Sequence, residues 1–251
     1  MVVPNRSGYA PEADIILLTD LWPQQTAPDG KSPRPYPFSI INTNAILVND
    51  DDRKNSSRGG DSFILTPLFT ASNATGWIRT RSHMRRYGPL SLASAMAASG
   101  AAANANSGYL GSGITRDRVV SVLMIMLNLG LGLWLANPAK PKPNPLLKVP
   151  NHWYPGFVYG VLRGGYRRDS RFLELSDGGH FDNLGLYELV RRQARVILVL
   201  DAESDPEFSF RALVSAAQRI KDDFRATIKF TPDDGPERLV GDSKLKYPNA
   251  A

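Results

Sequence analysis

The sequence predicts a mixed α/β fold built on a mostly parallel sheet, and three observations in its last third carry that expectation. Strand-like and helical patterns alternate there in the order strand, turn, helix, strand, helix, strand. Residues 196–200 (VILVL) form a continuous apolar run of the kind buried on both faces of a parallel sheet. Between residues 208 and 224, Phe210, Leu213, Val214, Ala217, Ile220 and Phe224 fall on one helical face.

From the N-terminus, Met1 to Ala13 lacks the charged start, apolar run and cleavage site of a secretory signal. Residues 1–37, dense in Pro, Gln, Asp and Gly toward their end, read as an irregular segment. Residues 38–48 (FSIINTNAILV) have strand composition, and residues 62–68 (SFILTPL) form a second β-rich run. The polar stretch from Asn49 to Gly60 separates the two as an exposed loop. Arg79, Arg81, Arg85 and Arg86 crowd eight positions around His83; a solvated basic loop and an anion-contacting surface both fit them. Residues 89–105, rich in Ala and Ser, predict a tightly packed helix ending near Gly100.

Residues 119–136 (VVSVLMIMLNLGLGLWLA) carry no charge. Eighteen residues reach only the lower bound for a membrane-spanning helix, and Ser121, Asn128, Gly130 and Gly132 dilute the run. A buried helix, or one lying at a membrane interface, is preferred over a spanning one. Residues 157–162 and 171–175 read as short strands separated by Gly164-Gly165. A helix from about 184 to 193, the 196–200 strand, the 208–224 helix and a strand over 226–230 complete the pattern. Residues 231–251 read as a loosely structured tail.

Composition narrows the chemistry. The chain of 251 residues has no cysteine, which excludes disulfides, thiolate nucleophiles and cysteine-bearing metal sites, and it has three histidines. Its net charge of +6 is unevenly spread: residues 62–168 hold twelve Lys and Arg against Asp117 alone, whereas both flanks are net acidic. Such a block suits phosphate backbones or anionic lipid headgroups. It lacks the interleaved aromatics of a nucleic-acid stacking platform, and its apolar stretch points to lipid, so no nucleic-acid partner is expected.

Functional groups in open parallel sheets gather at the C-terminal ends of strands. Asp177 and Asp201 both follow strand-like runs, and Asp177 precedes Gly178-Gly179, which lets the chain turn sharply beside the carboxylate. An ordinary Asp-Gly turn would look the same. Asp177, His180 and Asp182 lie within six residues, but three ligands on one short Gly-rich turn cannot all point inward without strain, so no metal is expected.

Residues 173–206 (LELSDGGHFDNLGLYELVRRQARVILVLDAESDP) resemble the catalytic-aspartate region of patatin-like phospholipases and their cytosolic phospholipase relatives. Asp177-Gly178-Gly179, Asn183-Leu184-Gly185 and the strand ending in Asp201-Ala202 match in order and spacing. The run Ala97 to Ala102 is similar to that family's upstream small-residue segment, and residues 128–138 fit its bacterial branch. The similarity covers roughly residues 38–230.

The resemblance implies a three-layer α/β hydrolase-type sheet with helices on both faces. It implies a Ser–Asp dyad that hydrolyses phospholipid or other lipid acyl esters through an acyl-enzyme, without a cofactor. Asp177 would be the general base, with Gly178 and Gly179 as its supporting turn. Arg79, Arg81, Arg85 and Arg86 become candidate contacts to an anionic membrane surface, and the location expected is cytoplasmic or peripheral to a membrane.

The departure from the family concerns the nucleophile. No G-x-S-x-G occurs in the sequence. Ser99 and Ser112 stand in small-residue contexts but not between a strand and a helix, so the nucleophile is unassigned. Residues 38–230 accordingly read as part of a larger domain that carries the aspartate half of the dyad, or as a non-catalytic relative that keeps a lipid-binding surface.

Overall fold

A computed structural model describes residues 15–22, 37–102, 104, 123–125, 127, 131–140, 150, 153–162, 164–230 and 235. The chain divides into two compact units, 1–181 and 182–251.

The first unit is built on a six-stranded sheet of order β4-β3-β2-β1-β6-β5. Its strands are β1 (Ile41–Ile46), β2 (Gly60–Leu65), β3 (Phe69–Ser72), β4 (Gly76–Arg79), β5 (Leu133–Ala136) and β6 (Phe172–Asp177). Every pairing is antiparallel. This corrects the expectation of a mostly parallel sheet: of the last-third segments expected to form it, only 171–175 contributes to a strand among the described residues, and as β6 it pairs antiparallel with β1 and β5. A parallel pair needs a crossover of a dozen or more residues, whereas β2, β3 and β4 are joined by turns of a few. The last of these turns passes through Gly76 at φ +87°, a left-handed conformation that suits glycine.

The two sequence-predicted strands over 38–48 and 62–68 are β1 and β2, paired from Ile41 opposite Leu65 to Ile46 opposite Gly60. The polar stretch between them contains a short helix, α1 (Arg53–Arg58), that composition alone did not reveal. Asp52 opens it by accepting from the Lys54 amide at 3.0 Å, and Gly59 closes it at φ +75°.

The basic segment is helix α2 (Thr80–Tyr87), not a loop. Helix α3 (Leu92–Ser99) is the expected small-residue helix, opened by Ser91 Oγ accepting from the Ser94 amide at 3.1 Å and followed by Gly100. Its Ala95 and Ala98 let it lie close against one sheet face, where Ala45, Leu47, Phe63, Leu65, Leu135, Leu173 and Leu175 pack with Leu18 and Leu90. Burial of each large side chain there contributes roughly 1.5–3 kcal/mol. The opposite face carries an aromatic cluster of Tyr159, Tyr166 and Phe172 with Ile46 and Ala136.

Two further expectations are corrected in this unit. Residues 157–162 belong to a helix, α4 (Gly156–Leu162), rather than a strand; a short apolar run fits either period, and Tyr159 is drawn into the aromatic cluster. The C-terminal end of the 119–136 run is strand β5 rather than helix. Gly132 enters it where a Cβ would come within 2.7 Å of Glu174 Oε1, so a larger residue there would have to displace the Glu174 side chain. Within the same run Leu123–Ile125 are helical, and most of the remainder lies outside the described residues. No helix among the described residues is long and apolar enough to cross a membrane.

Beyond β6 comes a single helical turn, α5 (Gly179–Asp182). The second unit holds helices α6 (Leu186–Arg191) and α7 (Arg211–Phe224), which match the expected helices. Tyr187 packs on Phe224 with ring centroids 4.7 Å apart and donates its hydroxyl to Asp223 at 2.7 Å, fastening the two together. The strands expected at 196–200 and 226–230 are corrected: both segments run without a ladder among the described residues. The 196–200 run is exposed rather than buried on both faces. The tail expected over 231–251 lies outside the described residues except for Gly235.

Candidate functional site

Asp177 is the last residue of β6, opposite Thr43 of the neighbouring central strand β1. Strand alternation puts its side chain on the α3 face, in line with Leu173 and Leu175. The turn that follows is fixed by its own backbone. Asp177 Oδ1 accepts from the Gly179 amide at 2.7 Å, and the Phe181 amide donates to Gly178 O at 3.0 Å.

The end of α3 is tied to this turn. The Asp177 amide donates to Ala101 O at 3.2 Å and the Gly178 amide to Ser99 O at 3.1 Å, while Ser99 Oγ donates to Asn42 O at 2.7 Å. The structure thus joins the two segments, 97–102 and 177–179, that the sequence singled out separately. The amides of Asp177 and Gly178 are engaged by the end of α3 and that of Gly179 by the Asp177 carboxylate, so donors for an oxyanion would have to come from elsewhere. Asp177 is half-buried, as is Ser99. Ser112 lies outside the described residues.

Gly178 is required by close approach: a Cβ there would stand 2.5 Å from Asn42 O. Asn42 completes the contact by donating from Nδ2 to Gly178 O at 3.5 Å and accepting from Ser62 Oγ at 3.4 Å. Behind the turn, on the opposite sheet face, Ser176 Oγ accepts from Asn44 Nδ2 at 3.3 Å and lies 3.2 Å from His180 Nδ1. Ser176 is wholly buried, which removes it as a nucleophile open to a lipid.

Asn42, Asn44, Ser62 and Ser176 were not singled out from sequence. The signal was present in β1, where Asn42 and Asn44 alternate with Thr43 and Ala45 and so put two amides on one face of a central strand.

Among the described residues no group of three His, Asp or Glu is arranged to hold a metal ion. The Asp182 carboxylate accepts from the amides of Leu184 at 3.2 Å and Tyr187 at 2.8 Å, capping the start of α6. Its burial raises its pKa, against those hydrogen bonds. Asp201, the other strand-end candidate, is exposed and accepts from the Glu203 amide at 2.9 Å.

Arg79, at the N-cap of α2, and Arg81, Arg85 and Arg86 along it are all exposed. His83 turns the other way, only 2% exposed. Its Nε2 donates to Ala136 O at 3.1 Å, because a carbonyl can only accept, and that fixes a tautomer with a bare Nδ1 that has no partner among the described residues.

Burial lowers the pKa of both His83 and His180; the Arg86 charge adds to this at His83, while Asp177 opposes it at His180. The sign follows directly. Both rings are neutral when folded and gain protons more readily when unfolded, so their contribution is full above pH about 6.5 and is lost as pH falls through the lower folded values. Urea unfolding is expected to show a stability that declines from about pH 7.5 to 5.5. In His83→Gln the decline is shallower; a stability that stays level or rises toward pH 5.5 would contradict this account.

Comparison with family models, with curated proteins and with solved structures finds no match to this chain.

Proposed function

We propose that the chain supplies the aspartate half of a lipid acyl hydrolase of patatin-like type, with Asp177 as the general base of a Ser–Asp dyad. The observation that carries this reading is the half-buried carboxylate at the end of β6, oriented by the Gly179 amide and braced by the end of α3. A carboxylate so held can take the proton of a serine hydroxyl as that oxygen attacks an ester carbonyl and pass it to the departing alcohol; it then takes a proton from the water that attacks the acyl-enzyme and returns it to the serine oxygen as the fatty acid leaves. The substrate class is a phospholipid or other lipid ester, and the chemistry needs no cofactor.

The test is release of fatty acid from phosphatidylglycerol vesicles, or turnover of a p-nitrophenyl acyl ester. Activity that falls by about a hundredfold or more in Asp177→Asn and persists in Asp201→Asn is the expected result. No turnover above buffer, or turnover indifferent to Asp177→Asn, overturns catalysis by this chain. Ser99→Ala then decides whether the serine tied to the turn is the nucleophile.

A second reading, a lipid-surface module without hydrolysis, is favoured by the four exposed arginines of the α2 segment. Sedimentation with anionic vesicles should then weaken severalfold between low and high salt, and further when Arg79, Arg81, Arg85 and Arg86 are changed to Ala. Equal sedimentation with neutral and anionic vesicles would count against it.

A further inference from the structure

Among the described residues of the second unit, the 196–200 segment is the most exposed apolar stretch, with Val196 at 88%, Leu198 at 81% and Leu200 at 83% exposure. Ile197 and Val199, which alternate with them, are half-buried. The backbone of this run joins no ladder among the described residues. It is therefore an open β-template: one row of side chains is half-buried, the other row is bare, and its backbone joins no strand among the described residues.

We infer that this segment is an interaction surface and that its occupant is a second copy of the same chain, paired antiparallel about Leu198. The flanking charges select that partner and that direction. The run reads Arg195-Val196-Ile197-Leu198-Val199-Leu200-Asp201, a cation at one end and an anion at the other, both exposed. Antiparallel pairing centred on Leu198 puts Arg195 of each copy opposite Asp201 of the other, Val196 opposite Leu200, Ile197 opposite Val199, and Leu198 opposite itself. The three bare side chains of each copy then share one face and stand in lateral contact with those of the other.

Parallel in-register pairing would set Arg195 beside Arg195 and Asp201 beside Asp201, where like charges directly adjacent are destabilising. A two-fold axis through Leu198 also makes the contact self-complementary and closed, so it ends at a dimer instead of propagating as a filament.

The absence of native cysteine allows a direct test on the full chain. Directly opposite residues of an antiparallel pair have Cβ atoms about 4.5–5.5 Å apart, close to disulfide reach. Leu198→Cys should cross-link to a covalent dimer under mild oxidation. Val196→Cys should not, because the two-fold separates its copies by four residues, about 13 Å. The double variant Val196→Cys/Leu200→Cys should link.

Light scattering on the unmodified chain should give a dimer whose dissociation constant rises at least about tenfold in Arg195→Asp or Asp201→Arg and recovers in the double charge exchange. Far-UV circular dichroism confirms that each variant folds. A monomer at tens of micromolar overturns the proposal. Cross-linking of Val196→Cys as fast as Leu198→Cys, which parallel stacking would give, also overturns it, as does a charge exchange that fails to restore the dimer.

Discussion

Replacing Asp50 by Ala is expected to cost about 3–5 kcal/mol. Its carboxylate is almost wholly buried, at 1% side-chain exposure, yet it comes from a loop of charged residues. Oδ1 accepts from the Asp52 amide at 2.9 Å and from Asn55 Nδ2 at 3.2 Å, and Oδ2 accepts from the Arg168 amide at 2.7 Å. The Arg168 guanidinium lies 3.8 Å away and balances the charge. One residue therefore sets the entry to α1 and fastens it to a segment more than a hundred positions away. Asn49 reinforces the junction, its amide donating to Tyr166 O at 3.2 Å and its Nδ2 to Gly165 O at 3.2 Å.

Alanine would leave two backbone amides and the Asn55 amide group short of an acceptor, with no bulk to replace it. The neighbouring Asp51 is the control. It pairs with Arg167, but its side chain is 70% exposed, so solvent and salt screen the pair and either partner can be satisfied by water. Urea unfolding of Asp50→Ala and Asp51→Ala side by side checks the contrast. Equal midpoints for the two variants would show that the buried carboxylate does not clamp the loops.

How much of this was legible in the sequence depended on whether the signal was local. The helices α3, α6 and α7 could be read from capping, small-residue content or periodicity within a dozen positions, and β1, β2 and β6 from short β-rich runs. Sheet direction could not. It depends on which strands find one another, and β6 enters between β1 and β5, which lie far apart in sequence. The apolar VILVL run misled because its composition records an environment buried on both faces that the described residues of this chain do not supply. The candidate site divides in the same way. Asp177 with its glycines was visible as a local pattern. Asn42 and Ser176 were not singled out, and Ser99 was visible as a candidate serine but not as a brace of the turn, because these roles come from strands and the end of α3 meeting the turn, contacts spanning 57 to 136 positions.

Gly178→Ala is the substitution expected to damage that meeting point most. The backbone at Gly178 has no need of a left-handed conformation; the demand is for space. An added methyl would stand 2.5 Å from Asn42 O and 2.9 Å from Asn42 C, atoms of a central strand hydrogen-bonded on both sides. Neither β1 nor the turn can yield alone: Asn42 O holds Ser99 Oγ, and the Gly178 amide holds Ser99 O. Relief has to move the turn away from β1, which loosens the end of α3 and swings the Asp177 carboxylate.

Overpacking of this kind costs about 1–3 kcal/mol. A carboxylate displaced by about 1 Å loses on the order of a hundredfold in any reaction it serves. Gly164→Ala supplies the comparison, since nothing lies within 4 Å of the Cβ it would add. Thermal unfolding and ester turnover measured on both variants should show Gly178→Ala impaired in each and Gly164→Ala close to the parent. If Gly178→Ala lost stability but kept full turnover, Asp177 would not be the base, because a general base cannot be displaced without cost. If it lost turnover at unchanged stability, the turn would have yielded easily and the carboxylate alone would be what its position protects.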